Sequence, residues 1–241
     1  MLNEVNAYIY FAKTGFCTDS RCASLGRTKN INLKMDNPWL EISHSDYENH
    51  MTEVGQAQVL NSLTKYCLDK YLPENFALLG CSTGNGLEHI KPEITKRVYA
   101  IDINPEYLNK TRGKFESKIN NLEIYNKNIQ TDELTIKSVD LFFVGLVLEY
   151  VKPEKALKKI IKTLSEKGIL FIVIQKNKQT SFVSKTKYKS LEKLVDISNE
   201  VNEREIDRFI HSENMELIKR EEIELTKNKS FISLEYQMKE K

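Results

Sequence analysis

Between Phe76 and Ile90 the chain reads FALLGCSTGNGLEHI, and Asp102, twenty-two residues after Gly80, closes a second apolar run, VYAID. Phe76 to Leu79 is short and uninterrupted in its apolarity, the pattern of a strand covered on both faces of a parallel sheet. The loop that stops it is built from small residues, which lets a ligand approach the main chain closely. A following helix is expected to offer its free N–H groups to polar ligand atoms. A carboxylate about twenty residues on, at the tip of the next strand, is placed to accept both hydroxyls of a ribose. The pattern therefore calls for a βαβ unit that holds a nucleoside.

Spacing narrows the choice of ligand. A dinucleotide loop needs G-x-G-x-x-G and a P-loop needs G-x-x-x-x-G-K-[ST], whereas Gly80, Gly84 and Gly86 run G-x-x-x-G-x-G with Asn85 and Leu87 at positions those motifs reserve for other residues. Phosphate binding is disfavoured. On this loop, on AIDINPEYL around Asp102 and on VDLFFVGLVLEYV, the sequence resembles the class I S-adenosylmethionine-dependent methyltransferases, from about Trp39 to the C-terminus. The segment PWLEISHSDYENHMTEVGQAQVLN is also similar to the leader of a bacterial methyltransferase-like group that carries GNGLEHI, DINPEYL and LEYV-type sequences.

The resemblance implies a set of contacts. Gly80, Cys81, Ser82, Gly84, Asn85 and Gly86 would wrap the methionine part of the cofactor S-adenosyl-L-methionine, with Tyr47 of the leader at the same end. Asp102 would hold the ribose and Ile103 would lie against the adenine. Asn128 would accept from the adenine amino group, with Ile129 beside it. Val144, Gly145 and Leu146 would line the cofactor near its sulfonium, while Glu149 and Tyr150 would face the substrate. Two departures stand in the loop: Leu78 occupies a place usually acidic, and Ser82 replaces the middle glycine.

Methyl transfer from a sulfonium is a one-step displacement that depends on alignment, worth roughly 7–11 kcal/mol in well-oriented systems. It demands neither a metal nor a covalent enzyme intermediate. A hydroxyl or thiol acceptor would use a general base, for which Glu149, His50 and Tyr47 are the candidates. Each also has an ordinary structural reading, as a helix-start carboxylate, a hydrogen-bonded histidine or a packed aromatic. His89 is expected to face away from the methyl group. The amine-modifying N-P-P-Y type of tetrapeptide is replaced by FVGL, which argues for a small-molecule acceptor over a nucleic acid. The alternatives weighed are a non-catalytic S-adenosylmethionine/S-adenosylhomocysteine-binding protein and a nicotinamide oxidoreductase.

Composition agrees. With 36 basic and 34 acidic side chains in 241 residues there is no basic excess of the kind nucleic-acid binders carry. The Lys-rich stretch from Lys176 to Lys193 reads as a solvated face. No apolar run reaches the roughly twenty residues that span a bilayer, and no signal-peptide pattern appears, so a cytoplasmic, membrane-free protein is the expectation. Cys17, Cys22, Cys67 and Cys81 form neither a disulfide framework nor a metal-ligand set.

Length fits one domain plus a leader: residues 1–38 as an N-terminal extension, with Met35 a possible alternative start, and 39–241 as the methyltransferase domain including a lid helix. That helix is expected from Ser45 through a capping box with Glu48, running on to Cys67. Strands are expected at Phe76–Gly80, Val98–Asp102, Leu122–Tyr125, Val139–Val144, Gly168–Ile174, Glu216–Leu225 and Phe231–Met238. A helix opens at Pro153 and ends before Gly168; further helical patterns cover Leu191–Val201 and Ile206–Phe209. The fold class is α/β, a doubly wound, mostly parallel seven-stranded sheet of Rossmann-like type, ending in an antiparallel hairpin around Lys227-Asn228-Lys229.

Overall fold

The structure, a computed structural model, describes residues 37–239. Residues 1–36 of the expected extension, with Cys17, Cys22 and Met35, lie outside them. Seven strands form one sheet: β1 (Asn75–Leu79), β2 (Arg97–Asp102), β3 (Leu122–Asn126), β4 (Val139–Gly145), β5 (Leu164–Asn177), β6 (Met215–Thr226) and β7 (Lys229–Met238), in the spatial order β3-β2-β1-β4-β5-β7-β6. Strands β1 to β5 are parallel, and β7 runs antiparallel to both β5 and β6. The expected sheet and terminal hairpin are thus present. The order reverses between β1 and β4, and the carboxyl ends of strands at such a point open a crevice.

Alternation along the strands sends side chains into two cores. Phe76 and Leu78 of β1 join Val98, Ala100, Leu141, Phe143 and Phe171 on one face; of the helices α1 (His44–Glu53), α2 (Gln56–Tyr71) and α3 (Pro105–Phe115), α2 and α3 cover it with Leu63, Cys67, Leu108 and Phe115. Ala77 and Leu79 point the other way, with Tyr99, Ile101, Phe142 and Val144, onto α4 (Pro153–Ile161) and α5 (Glu203–Ser212). Helix α4 is the one opened by Pro153, and its Ala156, Leu157, Ile160 and Ile161 are all buried, as their spacing predicts.

Five local expectations are corrected. Ser43, not Ser45, caps the leader helix by accepting from Asp46 N–H at 3.2 Å. Glu48 is no part of a capping box: its carboxylate takes Thr83 Oγ1 and Lys114 Nζ, each at 2.6 Å. The expected single helix breaks at Val54-Gly55, where Gly55 has φ +75°. The helix expected after the glycine loop is only one 3-10 turn, Leu87–His89; α2 takes up the space, and a Cβ on Gly86 would lie 2.6 Å from Thr64 Cβ. Gly168 sits inside β5, beyond the irregularity opposite Val139 and Leu141, because α4 already ends at Ile161 and the strand starts at Leu164. The pattern at Leu191–Val201 becomes a 3-10 stretch, Lys189–Ile197.

Helix α2 is fixed to β7 by one buried carboxylate. Glu235 is 1 % exposed and accepts from Lys70 Nζ (2.6 Å), Tyr66 Oη (3.1 Å) and Tyr71 Oη. Burial alone would raise its pKa, but the hydrogen bonds from Lys70, Tyr71 and Tyr66 outweigh it and hold the value below the usual carboxylate range. The stability it contributes is therefore present above the unfolded pKa and is lost as pH falls through the lowered folded one. Glu235→Ala is expected to cost about 2–3 kcal/mol, less than the roughly 3–5 of a fully buried pair because Lys70 reaches solvent. Urea unfolding at pH 7 measures this; a wild-type midpoint would remove the cluster from the account of how α2 is held.

Candidate functional site

The carboxyl ends of β1 and β4 carry the loop the sequence singled out. Gly80 and Cys81 donate to Ile101 O at 2.9 and 3.2 Å, tying the loop to β2. Asp102 completes the attachment: one carboxylate oxygen accepts Ser82 N–H and the other Asn104 N–H, each at 2.8 Å. Gly80 has φ +69°, and a Cβ there would stand 2.5 Å from Val147 Cγ2, so the close approach of the loop after β4 requires glycine. Ser82, in the place of the middle glycine, still takes φ +50°. The loop thus keeps its left-handed turn with a serine, a conformation that costs about 1–2 kcal/mol outside glycine.

Beside the loop lies an open cleft. Gly80, Ser82, Asp102, Ile103, Asn128, Ile129, Gly145, Tyr47 and Tyr150 line it. A second hollow, sharing Tyr47, Leu79, Gly80, Ser82 and Gly145, continues over Cys81, Gly84 and Asn85. Two predicted contacts are not brought there. Val144 is fully buried in the sheet core. Gly86 lies against Thr64 of α2 and lines neither hollow. Asn128 lines the cleft, but its side-chain oxygen already accepts Gln130 N–H at 3.0 Å, which leaves it one lone pair.

The cleft holds polar atoms without partners. Ser82 Oγ and Tyr107 Oη are buried and make no hydrogen bond among the described residues. Burial lifts Asp102 to about 6, with the N–H groups of Asn104 and Ser82 pulling it back down. Burial, then the nearby Asp102 charge, raises the Tyr47 phenol, so it stays a neutral donor. Buried groups left this way favour a polar ligand that satisfies them. Tyr107, Trp39 and Lys127 also line the cleft and were not singled out in the sequence; the sequence signal for Tyr107 is its place in the first turn of α3, just after the Asn104 cap.

Beyond Tyr47 is a further, smaller cavity. Trp39, Tyr47, Leu146 and Tyr150 line both it and the cleft. The rings stand edge to face, Trp39 to Tyr150 at 4.9 Å and 88°, Tyr150 to Phe182 at 5.9 Å and 85°. His50 lines this cavity, its Nδ1 2.9 Å from Thr186 Oγ1. Burial, then the charge of Lys229, lowers its pKa, so the ring is neutral at neutral pH. Two chain-distant segments close the cavity: Asp46 accepts from Ser190 Oγ at 2.5 Å, and Ile42 packs with Leu191 and Leu194.

Glu149 does not face this cavity. It is 0 % exposed, lines neither the cleft nor the cavity, and its Oε1 accepts Gln175 N–H at 2.7 Å while Oε2 has no partner. The one-turn 3-10 stretch Leu148–Tyr150 after Gly145 turns Leu148 and Glu149 inward and leaves Tyr150 at the wall. The expectation of a substrate-facing Glu149 is corrected accordingly. His89 does face away, bonded to Asn61 Oδ1 at 2.8 Å. Among the described residues no His/Cys/Asp/Glu group is arranged to hold a metal, and no helix is long and apolar enough to cross a membrane.

Residues 78–172 match the family model of the methyltransferase domain. Solved structures share the fold at low identity. N-methyltransferase NodS from Bradyrhizobium japonicum WM9 in complex with S-adenosyl-L-homocysteine superposes with a TM-score of 0.56 at 15% identity, covering 85% of this chain and 93% of that one. Geranyl diphosphate C-methyltransferase from Streptomyces coelicolor A3(2) gives 0.58 at 10%, covering 76% and 80%. The [4+2]-cyclase SpnF gives 0.58 at 9%, covering 75% and 81%. No curated protein matches by sequence. The family match takes in the strand-loop unit at Gly80, the acid at Asp102 and the switch at Gly145, so that over residues 78–172, set in this sheet, the chain matches a methyltransferase domain.

Proposed function

We propose that the enzyme moves a methyl group from S-adenosylmethionine to a small molecule seated in the cavity behind Tyr47. The observation that carries this reading is the shared wall: Trp39, Tyr47, Leu146 and Tyr150 border both the Asp102 cleft and the cavity, so ligands in the two would meet there. Asp102 would accept from the ribose hydroxyls, Ile103 and Ile129 would flank the base, and Ser82, Gly80 and Tyr47 would contact the amino-acid end. Tyr107 Oη and Ser82 Oγ, unpartnered and buried, fit a ligand rich in polar atoms. When bound, S-adenosylmethionine supplies an electrophilic methyl on a sulfonium. The chain's part is to align the acceptor, keep water out with its aromatic wall, and take up the acceptor's proton.

His50 is the group proposed for that proton. It borders the cavity, is neutral, and with Nδ1 engaged by Thr186 leaves Nε2 as the other ring nitrogen for an acceptor. A geranyl diphosphate methyltransferase among the similar structures acts on a small molecule, which supports an acceptor of that kind here. Calorimetric titration with S-adenosylmethionine, S-adenosylhomocysteine and NADH tests the cofactor; micromolar binding of the adenosyl ligands alone is expected, and binding of NADH alone would overturn it. With an acceptor from a small-molecule screen, His50→Gln is expected to lower kcat by roughly 10²-fold or more while S-adenosylhomocysteine affinity holds; unchanged kcat would remove His50 from the chemistry.

A further inference from the structure

Lys229, the first residue of β7, is a buried cation that has no anion. Its side chain is 7 % exposed, and no carboxylate among the described residues approaches within ion-pair distance. The ammonium donates to Phe182 O at 2.7 Å and to Ser184 Oγ at 2.8 Å, and its third N–H has no protein acceptor among the described residues. Both partners line the cavity behind Tyr47, and the charge is close enough to depress the pKa of His50 in the same wall. Burial pulls the lysine down to about 8, with no neighbouring charge acting to restore it. A charge buried without a counter-charge is costly, and the usual compensation is an opposite charge with hydrogen bonds. Lys229 reaches the cavity through Phe182 and Ser184 and does not itself line it; the groups that do are neutral: aromatic or aliphatic, or a hydroxyl, an amide or the His50 ring.

We propose that Lys229, through the corner it forms with Ser184, selects an acceptor bearing an oxyanion, a carboxylate or a phosphate monoester, on an apolar body that fills the aromatic part of the cavity. The inference rests on the reading that this cavity receives the acceptor. Lys229 acts as a specificity residue, orienting the acceptor by its anionic end while the methyl-accepting atom lies toward the Tyr47 wall. Phe182 and Ser184 belong to the segment after β5, so docking of the anion would also fix that segment over the cavity.

The test uses the full chain saturated with S-adenosylhomocysteine and calorimetric titration with matched probes: 4-hydroxyphenylacetate, 4-hydroxyphenylacetamide, tyramine and phenyl phosphate. The expected result is binding of the carboxylate or the phosphate ester, with the amide and the amine at least roughly tenfold weaker. The arm that binds identifies which oxyanion is taken. Lys229→Gln keeps an N–H donor on a slightly shorter side chain but carries no charge; it should erase the preference of acid over amide while S-adenosylhomocysteine binds with wild-type affinity. A tighter amide or amine, no binding by any probe, or an acid preference that survives Lys229→Gln would overturn the proposal. Failure of S-adenosylhomocysteine itself to bind the wild type would instead overturn the underlying cofactor reading.

Discussion

Replacing Asp102 by Ala will weaken binding of S-adenosylhomocysteine by about 1–3 kcal/mol, roughly a 5- to 150-fold rise in Kd. Two consequences of the substitution act in the same direction. On the proposed reading the carboxylate accepts charge-assisted hydrogen bonds from the ribose hydroxyls, and these are lost. The same oxygens hold Ser82 N–H and Asn104 N–H at 2.8 Å, so the glycine loop and the start of α3 lose their common attachment. Asp102→Asn separates the two: its single amide oxygen can keep one N–H but has no charge to offer the ribose, and an intermediate Kd is expected. The pH dependence has a definite sign. Burial holds the Asp102 pKa at about 6, above the ordinary 3.8, so the carboxylate that binds is depleted as pH falls through about 6 and affinity should drop there. In the free protein the raised value means the folded state binds more protons than the unfolded one between those values, so this group favours folding less as pH rises. Titrations of wild type and both variants at pH 5.5, 6.5 and 7.5 measure all of this. A pH-independent Kd, or wild-type affinity in Asp102→Ala, would remove Asp102 from the ribose site.

The sheet was legible because each of its strands is a run that local chemistry already favours. Phe76–Leu79, Val98–Ile101 and Leu141–Val144 are continuous apolar segments, which only a strand covered on both faces accommodates economically. Helix α4 was legible from Pro153 and the spacing of Ala156, Leu157, Ile160 and Ile161. The errors fall where a distant segment decides the outcome. The helix expected after the glycine loop is cut to one turn because α2, some twenty residues earlier in the chain, packs against Gly86; no pattern within GNGLEHIKPEITK shows that neighbour. The start of the leader helix is misjudged by two residues because Ser43 and Ser45 are equivalent as caps, and the choice falls to Glu48, drawn to Thr83 and Lys114. In the site, Gly80, Ser82 and Asp102 were readable from the small-residue loop and its downstream acid, Ile103, Asn128, Ile129 and Gly145 from the family resemblance, and all seven gather in one cleft. Trp39, Tyr107 and Lys229 were not, since an aromatic or a lysine in sequence carries no mark of which cavity it will border.

Glu149 carries the other large effect, and it concerns stability. The side chain is wholly buried, one oxygen has a single N–H from Gln175, the other has nothing, and no cation lies within ion-pair distance among the described residues. Burial lifts its pKa from 4.5 to about 7, against the pull of the Gln175 N–H. The sign is the reverse of a salt-bridged carboxylate: the folded state holds a proton that the unfolded state releases, so the group starts to oppose folding as pH rises above 4.5 and does so fully above about 7. At roughly 1.4 kcal/mol per unit, the cost at pH 8 is about 3 kcal/mol. Glu149→Gln keeps an oxygen for Gln175 N–H and never ionises, though its amide N–H groups must be buried in turn, at about 1 kcal/mol. The variant should therefore be more stable than wild type by about 2 kcal/mol at pH 8, a rise in Tm of about 4–8 °C for a chain of this size, and no more stable at pH 5. Thermal unfolding across that range decides it. A difference that does not change with pH would mean the carboxyl stays neutral throughout, and a variant less stable at pH 8 would mean that the ionised Glu149 has a partner in the folded protein that its surroundings here do not supply.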